Sequence, residues 1–261
     1  MRIEKDSMGE MQVPENAWYG IHTSRSIKNF NVSGEPLPLS IVHAIVHLKA
    51  ACAEANQQLG LLDQKRSQAI REACATILGG AHDDQFPIDV FQAGSGTSTQ
   101  MNVNEVVANL AAVQMGGKPG DRELLHPNDH VNKGQSTNNI FPSAIRLASV
   151  QLANRLEAAL DGLIASMEDK AGQFAKVAKS GRTHLQDAVP MTLGQEFDSF
   201  GLSIEGEIQA LEAGAGTLLE INMGGTAVGT GLNAPAGYSY KVTRYLADVS
   251  GFPFTLAPNL V

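Results

Sequence analysis

SAIRLASVQLANRLEAALDGLIASMEDKAGQFAKV, residues 143–177, decides the fold. Apolar side chains return at every third or fourth position, at Ile145, Ala148, Leu152, Leu156, Ala159, Leu163, Met167 and Phe174. Arg155, Glu157, Asp161 and Asp169 fall off that stripe, and Gly162 and Gly172 are its weak points. No proline interrupts it, and about 35 residues at 1.5 Å rise make a helix of about 50 Å. Residues 191–222 repeat the pattern with Leu193, Phe197, Phe200, Ile204, Ile208, Leu211, Ala215 and Leu218, and Pro190 stands at its start, where proline is tolerated. Helices of this length exceed the usual 11–12 residues several-fold, and near-heptad stripes predict an elongated helical bundle. A bundle closes with three or four helices, and only two long ones are present.

Working outward, residues 40–60 place Ile41, Ile45, Leu48, Cys52, Ala55 and Leu59 on one face, with Ser40 as the expected N-cap and Gly60 just past the end. Further helices are predicted at 64–78, closed by Gly79-Gly80, at 97–115 and at 238–250. The helix at 97–115 carries Gln100, Asn102, Asn104, Glu105 and Asn109; asparagine is a mediocre helix former, so these side chains are wanted for hydrogen bonds. Residues 1–39 read as irregular, with a short hairpin around Met8–Val13. With 32 alanines against 14 aromatic residues, the composition also favours an all-α fold. The expected organisation is a mostly helical N-terminal domain over 1–139, followed over 140–261 by the first part of a long central helical bundle.

Composition removes several classes. A hydrophobic fraction of 43% and charged fraction of 18% exclude disorder as a global description. No apolar run reaches the roughly 18 residues of a membrane span. The start, Met1-Arg2-Ile3-Glu4-Lys5-Asp6, has no apolar stretch of the secretory kind. Cys52 and Cys74 fall inside helices and read as buried thiols of a reducing compartment, so a cytoplasmic protein is expected. A net charge of −8 argues against a nucleic-acid partner.

Chemistry has three places to live. Gly94-Ser95-Gly96-Thr97-Ser98-Thr99 leads into a helix, where free N–H groups favour anions; it lacks the Gly-Lys-Ser/Thr ending of a P-loop, and on pattern alone an ordinary capped turn is the favoured reading. Residues 126–139, HPNDHVNKGQSTNN, read as a long polar loop whose Ser136-Thr137-Asn138 offers two hydroxyls and an amide. His126 and His130 are spaced as on a zinc-binding helix, but Pro127 argues against a helix there and no third ligand is evident; the same spacing at His43 and His47 reads as a solvated face. Ser180–Asp187 reads as a connector between the long helices, and its His184 is of the residue type that moves protons near neutral pH. Gly229-Thr230-Gly231-Leu232-Asn233-Ala234 is only a loose dinucleotide fingerprint and is rejected, because Pro235 and Gly237 fall where a helix should start.

Together, GSGTSTQMNVNEV (94–106), HPNDHVNKGQSTNN (126–139) and SGRTHLQDAVPMTLGQEF (180–197) resemble the fumarase/aspartase superfamily, as do GGTAVGTGLN (224–233) and the N-terminal RIEKDSMGEMQVPENAWYG. The resemblance covers essentially the whole chain. It implies a homotetramer with a central helical bundle, active sites shared between subunits, and reversible anti elimination from a four-carbon dicarboxylate to fumarate, with no cofactor and no metal ligand set. It places Thr97, Ser136 and Thr137 on the substrate carboxylate beside the departing proton, Ser95 among the substrate-binding residues, and Asn138, Thr183 and His184 around the leaving group and carboxylate, with Thr183 and His184 as the catalytic pair. It assigns His126, Asn128 and Asp129 to a second, peripheral dicarboxylate site.

The family's loop of the form G-S-S-x-M-P-x-K-x-N, which supplies the basic serine, does not occur here, so the chain resembles an N-terminal portion without its own base. DQFPIDVFQ and LQDAVPMTLGQEF look like aspartate ammonia-lyases, whereas GSGT, His126 and FPFTLAPN look like class II fumarases; the balance leans to the ammonia-lyase. Gln100 stands where the family has Asn, and Asn139 where Asp follows the STN triplet. The reading from a different class is a non-catalytic helical scaffold.

Overall fold

The computed structural model describes all of residues 1–261. It is mostly helical, as expected, with three small two-stranded sheets. The chain forms two compact units, Met1–Ala148 with Leu219–Val261, and Ser149–Leu218. The expected organisation instead split the chain once, after residue 139. The difference lies in the last forty-odd residues, which return to the first unit because α7 (Tyr238–Ser250) packs on α2 (Leu39–Gln58).

The first unit begins with an antiparallel hairpin, β1 (Arg2–Asp6) and β2 (Gly9–Val13). Arg25 of α1 (Ile21–Asn29) grips Asp6 with two bonds of 2.9 Å and ties the helix to the hairpin. α1 has no side-chain cap of its own. Glu105 takes that place from α4 (Thr97–Gln114): its carboxylate accepts the N–H groups of Gly20, His22 and Thr23 and the Thr23 hydroxyl at 2.7–3.0 Å. A negative charge against a helix N-terminus is favourable, and here it is buried and fully bonded. Two of the α4 amides tie distant segments to the helix, whereas Asn104, expected to hydrogen-bond, reaches only the Met101 sulfur. Asn102 bonds the Gln85 carbonyl, and Asn109 bonds both the Trp18 carbonyl and the Gly120 N–H.

The core joins α2, α3 (Gln64–Leu78), α4, α7 and residues 137–148 of α5 (Thr137–Gln173). Ile45, Leu48, Ile70, Ile77, Ile140 and Leu147 are fully buried in it, as are the free thiols of Cys52 and Cys74. Ser40 is not the α2 cap: the cap position is Pro38, two residues earlier, and it makes no side-chain cap bond. Gly60 does take the left-handed position past its end, at φ 70°. His43 and His47 are half-buried, not on a solvated face, and His43 Nε2 lies 2.8 Å from Asp83.

In the second unit, the end of α5 leads into a hairpin, β3 (Ala178–Thr183) and β4 (Gln186–Thr192), and then α6 (Leu193–Thr217). The expected connector and the expected early start of α6 are thus both strand. Pro190 sits in β4, and Thr192 starts the helix by a capping box with Gln195 at 3.0 and 3.2 Å. α5 and α6 run antiparallel: Gly194 lies against the backbone of Ala171 and Ala175, Gly201 against Met167, and Phe197 against Phe174. A Cβ at Gly194 would stand 2.5 Å from the Ala171 carbonyl oxygen, so only glycine lets the helices approach so closely there. Few side chains are buried in this unit; Leu152, Leu156, Leu163, Phe200 and Leu202 remain exposed. No helix is long and apolar enough to cross a membrane.

Candidate active site

Two helix N-termini meet in the first unit. Gly96, at φ 100°, precedes Thr97 at the head of α4, and a Cβ there would fall 2.3 Å from the ring of Phe141 in the first turns of α5. The contact sets the start of α4 beside the first turns of α5, and the N–H groups at a helix start favour an anion. Thr97 is half-buried at the head of α4, and Ser95 is exposed just before it.

α5 begins six residues earlier than the periodicity predicts, and takes in Pro142. The cause is Ser136-Thr137-Asn138-Asn139, which acts as a helix start and not as loop. Ser136 Oγ accepts the Asn138 N–H at 3.2 Å, and Asn139 Oδ1 accepts the Ser136 N–H at 2.8 Å. This is a capping box with asparagine in the usual Glu/Gln place. Pro142 lies in the second turn and gives up the bond to the Asn138 carbonyl, which takes the Asn222 Nδ2 donor at 3.5 Å instead. Asn139 is fully buried, so the departure from Asp keeps the acceptor the cap requires. Thr137 is half-buried, and the exposed Asn138 donates to the Ala227 carbonyl at 2.7 Å.

The segment before it is not a plain loop either. Pro127–Val131 forms a π-helical turn with the proline in its first position, which needs no N–H. His126 caps it: Nδ1 accepts the N–H groups of Asn128 and Asp129 at 3.2 Å. A nitrogen that accepts two N–H groups carries no proton, so the 3.4 Å approach of Asp129 Oδ2 to the same atom is not an ion pair. His130 Nδ1 accepts the His126 N–H at 2.8 Å, and burial lowers the basicity of His130. The zinc-like spacing therefore serves the turn itself, and no cluster of three or more His, Cys, Asp or Glu is placed to hold a metal ion.

An open cleft of about 550 Å³ runs along this segment. Asn128 and Asp129 line one part, Asn132 and Ser136 another, and Thr226 and Asn233 of the returning segment close it. Asn128, Asp129 and Ser136, which the resemblance divides between two sites, thus share one cleft. Ser95, Thr97, Thr137, Asn138 and His126 are not in its lining. Sequence reading missed Asn132, Thr226 and Asn233. The signal was the glycine-rich run 224–233: a Cβ at Gly229 would meet the backbone of Val261 at 2.3 Å, and one at Gly224 would meet Ser239. Those close approaches give this run its reason for glycine and leave nothing for a dinucleotide.

Thr183 and His184 belong to the second unit, at the turn of the β3–β4 hairpin. His184 and Leu185 both have positive φ, 49° and 62°, the backbone of a tight two-residue turn normally given to Asn-Gly. Each such residue costs about 1–3 kcal/mol, and strain of this kind collects at functional positions. Both side chains are exposed.

Comparison with known proteins follows the same outline. The profile of a family described as lyase matches residues 9–261. The class II fumarate hydratase of Nitrosomonas europaea is 46% identical over 259 residues, covering 99% of this chain and 56% of that protein. The aspartate ammonia-lyase of Pseudomonas aeruginosa is 48% identical, covering 100% of this chain and again 56% of the relative. Among solved structures, the fumarate lyase:delta crystallin of Brucella melitensis superposes with a TM-score of 0.97 at 44% identity, over 100% of this chain and 57% of that one. The class II fumarase of Schistosoma mansoni gives 0.94 at 36%, over 99% and 58%. The chain thus spans about half the length of the curated relatives it matches. Relatives of both names stand at similar identity and most carry the fumarate hydratase name, so the lean to the ammonia-lyase is not supported. With a family profile matched over nearly its whole length and relatives near 46–48% identity, the chain belongs to the lyase family, within the fumarase/aspartase superfamily.

Proposed function

We propose that the intact protein carries out reversible elimination from a four-carbon dicarboxylate to fumarate, as a homotetramer. Malate is the first substrate reading, because most of the relatives compared are named fumarate hydratase class II. Aspartate is the second, carried by the Pseudomonas aeruginosa relative. The observation that supports an elimination site is the meeting of the α4 and α5 N-termini, with Thr97, Ser136 and Thr137 at their heads. Short hydroxyls and free N–H groups bind a carboxylate without adding a competing charge. On this reading Ser95, Thr97, Ser136 and Thr137 hold the carboxylate next to the acidified carbon, Asn138 and Thr183 position the leaving group, and His184 handles its proton. In this scheme the family's basic serine, on a loop this chain does not carry, takes the Cβ proton; the electron pair passes into the bound carboxylate as an enediolate that fixed donors stabilise, and its return forms the C=C bond as the Cα–O or Cα–N bond breaks and water or ammonia leaves. His126, Asn128 and Asp129 form the peripheral anion site, with His126 holding the turn that presents the other two.

The test is fumarate absorbance with malate and with aspartate on the intact protein. Fumarate from malate supports the first reading, fumarate from aspartate the second, and fumarate from neither ends both. His184→Ala should lower kcat at least 100-fold. His126→Ala should act mainly through the turn and change kcat less than tenfold; equal losses would remove the division into principal and peripheral sites.

A further inference from the structure

Lys49 is fully buried on α2, and no carboxylate lies within ion-pair distance of it. Its Nζ donates to Gln135 Oε1 at 2.7 Å and to Asn132 Oδ1 at 3.2 Å. Both amides line the cleft. Gln100, the residue that departs from the family's Asn, reaches the same Asn132 Oδ1 with its Nε2 at 2.8 Å. With two donors on its oxygen, the orientation of Asn132 is settled, and its Nδ2 makes no hydrogen bond within the protein. Gln135, held by Lys49 through Oε1, donates Nε2 to the Val131 carbonyl at 2.8 Å and so clamps the turn that carries Asn132. Asn56 and Tyr238 hold the Lys133 carbonyl in the same turn, at 3.0 and 3.3 Å. A buried cation that touches only neutral amides costs stability, and such a cost collects where function needs it.

We infer that Lys49 is a positioning residue of the cleft: its ammonium fixes the amides of Asn132 and Gln135, which leaves the donor end of Asn132 for an oxygen of an anionic ligand. The ligand class is the dicarboxylate of the function proposed above, and the inference rests on that reading for the ligand's identity only. Burial holds Lys49 far below the usual lysine range, at about 7. The titratable groups acting on it are the thiols of Cys52 on α2 and Cys74 on α3, which burial pushes up to about 11 and about 12; the Tyr238 phenol of α7 is raised as well. Between pH 7 and about 8 the unfolded chain therefore holds the Lys49 proton more than the folded one, and stability rises with pH; above about 8.5 the thiols oppose this.

The test compares Lys49→Met and Asn132→Asp with the wild type in the intact protein. Lys49→Met keeps the volume and removes the unpaired cation; Asn132→Asp keeps the acceptor for Lys49 and removes the donor. Both should raise KM for the dicarboxylate at least tenfold with a smaller change in kcat, while the unfolding temperature stays level or rises. The rise in stability from pH 7 to 8 should vanish in Lys49→Met. An unchanged KM in either variant overturns the inference, and so does a loss of stability that accounts for the loss of activity. A second arm measures the rise in unfolding temperature with fumarate and with inorganic phosphate. If the wild type makes no fumarate but binds either anion, and Lys49→Met abolishes that binding, the inference stands and the proposed function falls. If neither anion binds the wild type, or both bind Lys49→Met equally, the inference falls.

Discussion

The two compact units use apolar residues in opposite ways. In the first, α2, α3, α4 and α7 bury Ile45, Leu48, Ile70 and Ile77 completely, and the buried Glu105, Asn102 and Asn109 bond neighbouring backbone. In the second, α5 and α6 meet along glycines and one aromatic pair, and Leu152, Leu156, Leu163, Phe200 and Leu202 stay in solvent. Both units carry helices with apolar stripes. A stripe at 3.6-residue spacing therefore says that a face exists to be covered; the number of helices present says whether it is covered. In the homotetramer proposed above, helices of other subunits would cover the exposed face of the second unit.

The sharpest way to break this comparison is at Glu105. Glu105→Ala leaves three N–H groups of the α1 start and the Thr23 hydroxyl without an acceptor, and should cost about 3–5 kcal/mol in urea unfolding. A cost under about 1 kcal/mol would mean that the first unit does not depend on its buried polar network. Next in size is a matched pair. Ile70→Ala should cost about 2–4 kcal/mol wherever it is measured. Leu156→Ala should change the stability of this chain on its own by no more than about 0.5 kcal/mol, and that of the intact protein by more than about 2 kcal/mol if other helices cover it. Equal costs in both settings would remove the contrast between the units.

Acid should act on the first unit. Asp89 accepts the N–H groups of Val32, Ser33, Gly34 and Phe91 and the Ser33 hydroxyl. Burial by itself would raise its carboxyl; the hydrogen bonds from Phe91, Gly34 and Ser33 together outweigh that and hold it well below the usual range. Its contribution is therefore complete above about pH 4 and lost as pH falls below that value. Asp89→Asn should flatten the fall in unfolding temperature between pH 4 and pH 2; an unchanged slope would assign the acid sensitivity elsewhere. The smallest effect is expected in the second unit. Leu185→Gly removes a left-handed strain at the hairpin turn and should add up to about 1 kcal/mol to the β3–β4 pair, read as slower amide exchange in those strands. Faster exchange would show that the Leu185 side chain supports the turn.

The residues of the candidate site were legible in the sequence because they stand in short polar runs beside helices, and so was the family. What was misjudged has more than one cause. Pro127 argued against helix at 127–131, yet it lies at the first position, where the N–H it lacks has no intrahelical partner to find; the start of α5 was missed because its apolar stripe begins at 143, whereas the helix is opened at 137 by the Ser136 cap. The 178–192 stretch has too few apolar residues to announce strands, and it pairs because its own turn brings the two arms together. Asn132, Thr226 and Asn233 carried no motif that would set them at a cleft.

By itself, the sequence determined the helical class, the long stripes of α5 and α6, the buried thiols and the polar runs at the helix starts, because periodicity and capping act within a few residues. Only the tertiary structure decided that residues 219–261 return to the first unit, that one cleft joins Asn128, Asp129 and Ser136, and that Lys49 stands behind it. Those facts depend on which segments far apart in the chain bury the same surface, and burial is a property of neighbours that no local pattern contains.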